Sequence, residues 1–293
     1  MTPFSPESLS PTASSHLSHL QADVNAQIGP EDQYLRAGNL WKNRKNTADQ
    51  KLIWNEIKSK LSQAHPRPGL CQYCEYDRSS PTEHFYPKAH FPERAFSWDN
   101  YLLICGICNS DCKGAKFAVF SPAGADTFVE QDAKPFPPTD DAVLINPRTE
   151  DPQAYILIDL GTGILLPTPG TNARGQKKAD YTINLLHLNK NDNLVRYRKK
   201  AYSGYLQKLE EYANVRDAAD YPALLSALAP AKRVIVVRGR LFDSEKQRLL
   251  DMIKSDILDD PFPSVWREIK AQSQLIPHIA DLFRRVPEAL GWA

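Results

Sequence analysis

The sequence predicts an α+β chain that is mostly helical and carries one small β-containing module in its first half. Apolar residues recur at helical spacing over long stretches, most clearly across residues 192–214. The short apolar run Tyr101–Ile104 is bounded by polar residues, and the turn signal Ser79-Ser80-Pro81 precedes another short segment, so the two predict a pair of strands. Two Cys-x-x-Cys pairs enclose these strands.

The pattern divides the chain into five segments. Residues 1–30 are rich in Ser and Pro, which predicts a flexible segment, although apolar spacing within 14–28 permits a helix. The others are a basic helical segment over 31–68, the cysteine-containing module over 69–120, an acidic loop with a β-hairpin over 121–170, and a helical C-terminal region over 171–293. A charge run such as that of 31–68 is more often a solvated helix face than a binding site.

Composition limits the classes of function. The chain has 293 residues with 36 Lys and Arg against 35 Asp and Glu, and this near-neutral charge argues against a general nucleic-acid coat protein. Local basic patches stay compatible with it. We expect no membrane association, because no apolar run approaches the length of a span, and no signal peptide, so the predicted location is cytoplasmic. No Gly-rich nucleotide loop is present, so any ATP use would belong to another protein.

The clearest motif is a pair of Cys-x-x-Cys sequences, Cys71 with Cys74 and Cys105 with Cys108. Four thiolates can complete a closed tetrahedral zinc site with no open position for a substrate. The gap over positions 75–104 is longer than in common zinc ribbons, which predicts a folded element inside the loop. Two disulfides or four ordinary buried cysteines are the alternatives, and disulfides are disfavoured in a chain predicted to be cytoplasmic.

The segment inside that loop carries a second set of polar residues. Glu83 and His84 are predicted to begin the first strand, and Gly106–Phe117 is predicted to form a short helix after the second. That helix would carry Asn109, Lys113 and Lys116. A hairpin followed by a helix would bring Glu83, His84 and Asn109 within reach of each other.

The sequence motifs of this module resemble those of the HNH nucleases, which have the ββα-metal fold. The similar motifs are His84-Phe85-x-Pro87-Lys88, Trp98-x-Asn100, Cys105-x-x-Cys108-Asn109 and Lys113-Gly114. Within that family they are similar to the HNH subunit of Septu-type and some retron anti-phage systems. The resemblance is strong over residues 70–117 and weaker from there to about residue 205.

The resemblance implies a role for each polar residue of the module. His84 would be the general base, Asn100 would brace the loop, and Glu83 with Asn109 would bind Mg²⁺ or Mn²⁺. Lys88, Lys113 and Lys116 would hold phosphates. Glu83 stands where the family usually has Asp, Asn109 stands in the third His position, and Cys112 breaks the usual spacing toward Lys113.

The implied function is a metal-dependent endonuclease that hydrolyses phosphodiester bonds of DNA, as an anti-phage effector working with a separate ATPase subunit. Two alternatives stay open. One is a zinc-stapled module that binds nucleic acid or protein without catalysis. The other is a nuclease of the same chemistry directed at RNA, because attack by water does not need the 2′-hydroxyl.

Overall fold

The computed structural model describes residues 1–79, 81–121, 128–131 and 139–292. It confirms an α+β, mostly helical chain with small two-stranded sheets. The chain divides into two compact units, one of Met1–Asp159 with Ile164–Leu194 and the other of Leu160–Gly163 with Val195–Ala293. The sequence predicted a boundary near residue 170 instead, since a change of element type marks that position.

The first unit begins with three helices: α1 (Pro11–Asn25), α2 (Pro30–Lys42) and α3 (Ala48–Ala64). The segment over 1–30, predicted to be flexible, therefore contains α1, which overlaps the helical spacing noted within 14–28. Ser10 caps α1, its hydroxyl accepting a hydrogen bond from the amide of Ala13, and a proline occupies the first turn. The Ser and Pro residues that suggested disorder act here as helix-start residues, and Leu17 and Val24 bury the inner face of the helix.

Within its described residues, the first unit continues with three antiparallel two-stranded sheets. Strand β1 (Thr82–His84) pairs with β2 (Tyr101–Leu103), with His84 opposite Tyr101. Strand β3 (Phe117–Phe120) pairs with β4 (Phe128–Gln131). Strand β5 (Ile156–Ile158) pairs with β6 (Leu165–Pro167), as the hairpin prediction for 121–170 required.

Two of the sequence-based expectations for this region need correction. Gly106–Phe117 is not one helix: a π-helix covers Ile107–Lys113, Gly114 then takes a positive φ of 48°, and β3 begins at Phe117. The predicted acidic loop contains β4, while 122–127 and 132–138 of that loop lie outside the described residues.

The core of the first unit packs the helices against the hairpin β1–β2. Ile57 and Leu61 of α3 are fully buried in one cluster with Trp54, Tyr101 and Leu103. Trp41, near the end of α2, is partly buried against the same cluster. This packing fixes the hairpin that carries the polar residues of the module.

The rest of the chain is helical, as predicted for 171–293. Helix α4 (Ala173–Leu185) belongs to the first unit. Helix α5 (Asp192–Asp217) has its first three residues in the first unit and the others in the second unit. The second unit continues with α6 (Tyr221–Ala227), α7 (Pro230–Arg233), α8 (Phe242–Leu258), α9 (Pro263–Ala271) and α10 (Pro277–Arg285). Its core includes Tyr205 stacked on Trp266 with ring centroids 5.4 Å apart. Within the described residues, no helix is both long and apolar enough to cross a membrane.

Candidate functional site

The four cysteines of the two Cys-x-x-Cys motifs lie together in the first unit. All four are buried, and their sulfur atoms lie within 4.8 Å of one another. Among the described residues they are the one group of three or more His, Cys, Asp or Glu side chains placed to hold a metal ion. The sulfurs of Cys74 and Cys105, one from each motif, are 3.8 Å apart.

Local backbone structure brings the sulfurs together. The amide of Glu75 donates to the carbonyl of Cys71 at 2.9 Å, and Glu75 has a φ of 58°, so the chain reverses tightly after Cys74. Gln72 ties this turn to its neighbours, because its side-chain oxygen accepts from the amide of Leu103 and its side-chain nitrogen donates to the carbonyl of Leu61. The first cysteine pair is thereby fixed beside β2 and α3.

This geometry fits a metal ion such as zinc. Zinc–sulfur bonds of about 2.3 Å in a tetrahedron place the sulfurs about 3.8 Å apart, and the Cys74–Cys105 separation agrees with that spacing. The amide of Cys108 donates to the sulfur of Cys105 at 3.4 Å. Hydrogen bonds from the neighbouring cysteines, that of Cys108 first, lower the pKa of Cys105, while the hydrogen bonds to Cys105 raise the pKa of Cys74 and of Cys108. Cys112 is buried outside the cluster, and burial raises the pKa of its thiol.

His84 ends β1 and is 2% exposed. Its Nε2 lies 2.8 Å from the carbonyl oxygen of Ala95, which also accepts a hydrogen bond from the hydroxyl of Tyr101. A carbonyl oxygen only accepts, so Nε2 carries the proton and Nδ1 carries the lone pair. Nδ1 has no hydrogen-bond partner within the described residues.

The surroundings of His84 keep its ring neutral. Burial is the main cause that lowers the pKa of His84 to about 3, and the charges of Lys88, Lys113 and Arg44 lower it further. The Trp41 ring packs against the imidazole with centroids 4.2 Å apart. The result is a neutral imidazole that is held through Nε2 and has its lone pair on Nδ1.

Asn100 holds the loop that follows His84. Its side-chain oxygen accepts from the amide of Tyr86 at 2.7 Å, and its side-chain nitrogen donates to the carbonyls of Tyr86 and Arg94. Asn100 is buried, and its own carbonyl accepts from the amide of Phe85. These bonds hold the backbone on both sides of the loop.

Glu83 and Lys113 form an ion pair between β1 and the π-helix. The Lys113 Nζ lies 3.1 Å from one carboxylate oxygen of Glu83 and donates at 2.8 Å to the backbone carbonyl of His84. The Lys113 side chain is completely buried. The prediction that Lys113 binds substrate phosphate is therefore wrong, because its ammonium is enclosed and already neutralised by Glu83.

The other predicted residues are more accessible. Asn109 is half-buried on the π-helix, four residues before Lys113, a spacing that puts both side chains on one helix face. Lys116 is exposed, and its Nζ donates to the carbonyl of Cys112 at 3.2 Å. Lys88 is half-buried, with its Nζ 5.9 Å from the centre of the Trp41 ring.

The sequence did not single out Trp41 and Arg44, which complete the surroundings of His84. Both come from the predicted basic helical segment, Trp41 near the end of α2 and Arg44 in the loop before α3. The guanidinium carbon of Arg44 lies 4.0 Å from the centre of the Trp41 ring. The sequence signal was a basic run, which gives no sign of which of its members reaches the module.

Neither the comparison with protein-family models nor the comparison with curated proteins gives a match to this chain. The resemblance to HNH nucleases therefore stays a prediction carried by the motifs of residues 70–117.

Proposed function

We propose that this chain is a metal-dependent, HNH-type endonuclease that hydrolyses phosphodiester bonds of DNA, with His84 as the general base. The observation that carries the proposal is the state of the His84 ring. Its Nε2 is anchored on the carbonyl of Ala95, and its neutral Nδ1 keeps an available lone pair.

In this proposal, Glu83 and Asn109 would hold a weakly bound Mg²⁺ or Mn²⁺. One oxygen of Glu83 receives Lys113, and the other has no hydrogen-bond partner within the described residues. The amide of Asn109 is a neutral oxygen donor on the helix that carries Lys113. Such hard oxygen ligands suit these ions, and a site with one charged ligand relies on water and substrate phosphate for the rest. Glu83 and Asn109 are the residues that would hold the ion.

In the proposed hydrolysis, His84 acts on the attacking water and Asn100 holds the loop beside it. Nδ1 of His84 accepts a proton from a water molecule, and the hydroxide attacks the phosphorus as the bond to the 3′ oxygen breaks. The leaving 3′ oxygen takes up a proton from solvent, so the products are a 5′-phosphate and a 3′-hydroxyl. Asn100 keeps the loop after His84 in place. A bound divalent ion would stabilise the charge that develops on the leaving oxygen.

The cysteine cluster has a separate role in this proposal, as a structural zinc site. Its four positions are filled by sulfur, so no coordination position is open for substrate. The module has short strands, and a structural metal contributes folding free energy directly in small domains. The proposed biological role is anti-phage defence together with a separate ATPase subunit, which rests on the resemblance of the motifs alone.

The direct test is incubation of the purified chain with supercoiled plasmid, with and without Mg²⁺ or Mn²⁺, and with single-stranded RNA in parallel. We expect nicked or linear DNA in the presence of the added metal. EDTA should stop cleavage before it removes the zinc, because the oxygen site is the weaker of the two. Binding without cleavage, also after addition of the ATPase subunit, would favour the zinc-stapled binding module.

A further inference from the structure

Two of the three cations around His84 have no carboxylate partner within the described residues. Arg44, Lys88 and Lys113 all act on the imidazole. Lys113 is paired with Glu83. Within the described residues, neither Arg44 nor Lys88 has an ion-pair partner, although each is half-buried beside Trp41.

Arg44 is held in a position from which it can still donate hydrogen bonds. Its guanidinium lies over Trp41, with its carbon 5.4 Å from the centre of the Trp54 ring, and one terminal nitrogen donates to the carbonyl of Trp41 at 2.6 Å. Its Nε is buried and has no hydrogen-bond partner within the described residues. A guanidinium carries five N–H donors in a fixed plane, so several donors of Arg44 stay unused.

Partly buried cations without a counter-charge are unfavourable, since burial disfavours the charged form, and burial lowers the pKa of Arg44. Stacking on Trp41 compensates part of this cost. An anion bound beside Trp41, which both cations approach, would compensate the rest. Arg and Lys are the side chains that proteins use to hold phosphate, Arg through paired N–H donors and Lys as a point charge.

We propose that Arg44, together with Lys88, binds a backbone phosphate of the nucleic acid beside His84. The inference rests on the proposed function for the choice of ligand, a polynucleotide, and adds a binding residue from outside the ββα module. The loop between α2 and α3 thereby becomes part of the substrate site. In this proposal Lys88 binds phosphate, as the sequence predicted. Arg44 binds phosphate in place of Lys113, which is buried.

A purely structural role for Arg44 is the competing explanation. Its hydrogen bond to Trp41 ends α2, and its stacking supports the indole that packs on His84. Loss of that role would lower stability and leave the number of neutralised phosphates unchanged. The salt dependence of DNA binding separates the two explanations, because its slope counts the phosphate contacts.

The experiment measures binding of a fluorescent duplex oligonucleotide by anisotropy, with the full zinc-loaded chain and no added Mg²⁺ or Mn²⁺, at about 50–200 mM NaCl. A gel confirms that the bound DNA is intact. The variants are Arg44→Met and Lys88→Met, in which an apolar chain replaces each cation. Lys51→Met, at an exposed position of α3, removes the same charge away from His84 and is the matched control.

We expect Arg44→Met and Lys88→Met each to weaken binding roughly tenfold and to reduce the slope of log Kd against log salt by about 1. Lys51→Met should keep the wild-type slope, and Arg44→Lys should recover most of it. Equal slopes for Arg44→Met and Lys51→Met would overturn the proposal, as would wild-type binding without salt dependence. If Arg44→Met fails to fold, the salt slopes of Lys88→Met and Arg44→Lys decide between the phosphate site and a purely structural role.

Cleavage assays on the same samples distinguish this inference from the proposed function. A reduced slope in a chain that never cuts DNA would support the phosphate site and contradict the nuclease. Cutting by Arg44→Met with an unchanged KM and an unchanged slope would support the nuclease and contradict the phosphate site.

Discussion

The cysteine cluster and the surroundings of His84 lie in the same small module but are built in opposite ways. The cluster consists of four cysteine side chains whose sulfurs lie close together, so a metal held by all four has no open coordination position. The His84 site combines one neutral imidazole, one engaged carboxylate and several cations, two of them unpaired. The first arrangement is suited to stabilising the fold. The second leaves charges and hydrogen-bonding groups unpaired, and a ligand can bind to them.

The largest expected effect is on the cluster. Cys71→Ser should abolish the proposed zinc binding and unfold the module, because structural zinc contributes about 10–16 kcal/mol of apparent binding free energy in small zinc domains. Elemental analysis and thermal unfolding measure both consequences. Cys112→Ser is the control and should keep the zinc, since Cys112 lies outside the cluster. Full stability of Cys71→Ser without zinc would contradict the structural role.

A smaller effect is expected at Lys113, where the two regions meet. Lys113→Met should lower the free energy of unfolding by about 3 kcal/mol, since it leaves the Glu83 carboxylate without its buried partner. Lys116→Met, three residues further along at an exposed position, should change it by less than about 0.5 kcal/mol. Urea unfolding measures both. Similar small losses for the two variants would mean that the Lys113–Glu83 pair does not stabilise the module.

The smallest effect concerns the proposed oxygen site. Asn109→Ala should raise the Mg²⁺ or Mn²⁺ concentration needed for cleavage about tenfold, while Asn109→His should keep part of the activity and shift its preference toward transition metals. Titration of cleavage against each metal measures the change. Zinc content should stay the same in both variants. Superimposable titration curves for Asn109→Ala and the wild-type chain would mean that the ion is held elsewhere.

The two regions also differ in how well the sequence predicted them. The cysteine cluster follows from spacing, because two Cys-x-x-Cys turns can meet in few ways, and the structure brings all four sulfurs together. The hairpin β1–β2 was predicted from a short apolar run. The burial of Lys113 was not predictable, since the sequence shows a lysine after Cys112 and gives no sign of the carboxylate and carbonyl that enclose it.

The contribution of α1 to α3 could not be predicted either. Whether Arg44 or one of its basic neighbours reaches His84 depends on how α2 ends and how Trp41 packs, which are tertiary properties. The sequence left open whether α1 or a flexible segment covers its N-terminal part, because Ser and Pro are common both in disordered segments and at helix starts. Composition alone does not distinguish these two uses.

The most direct test of the account measures zinc content and plasmid cleavage on the same preparations of wild type, His84→Ala and His19→Ala. His19 lies on the exposed face of α1 and serves as the matched control. The account predicts full zinc content in all three, with cleavage reduced about 10²–10⁴-fold in His84→Ala alone. Cleavage by folded His84→Ala at the wild-type rate would contradict it.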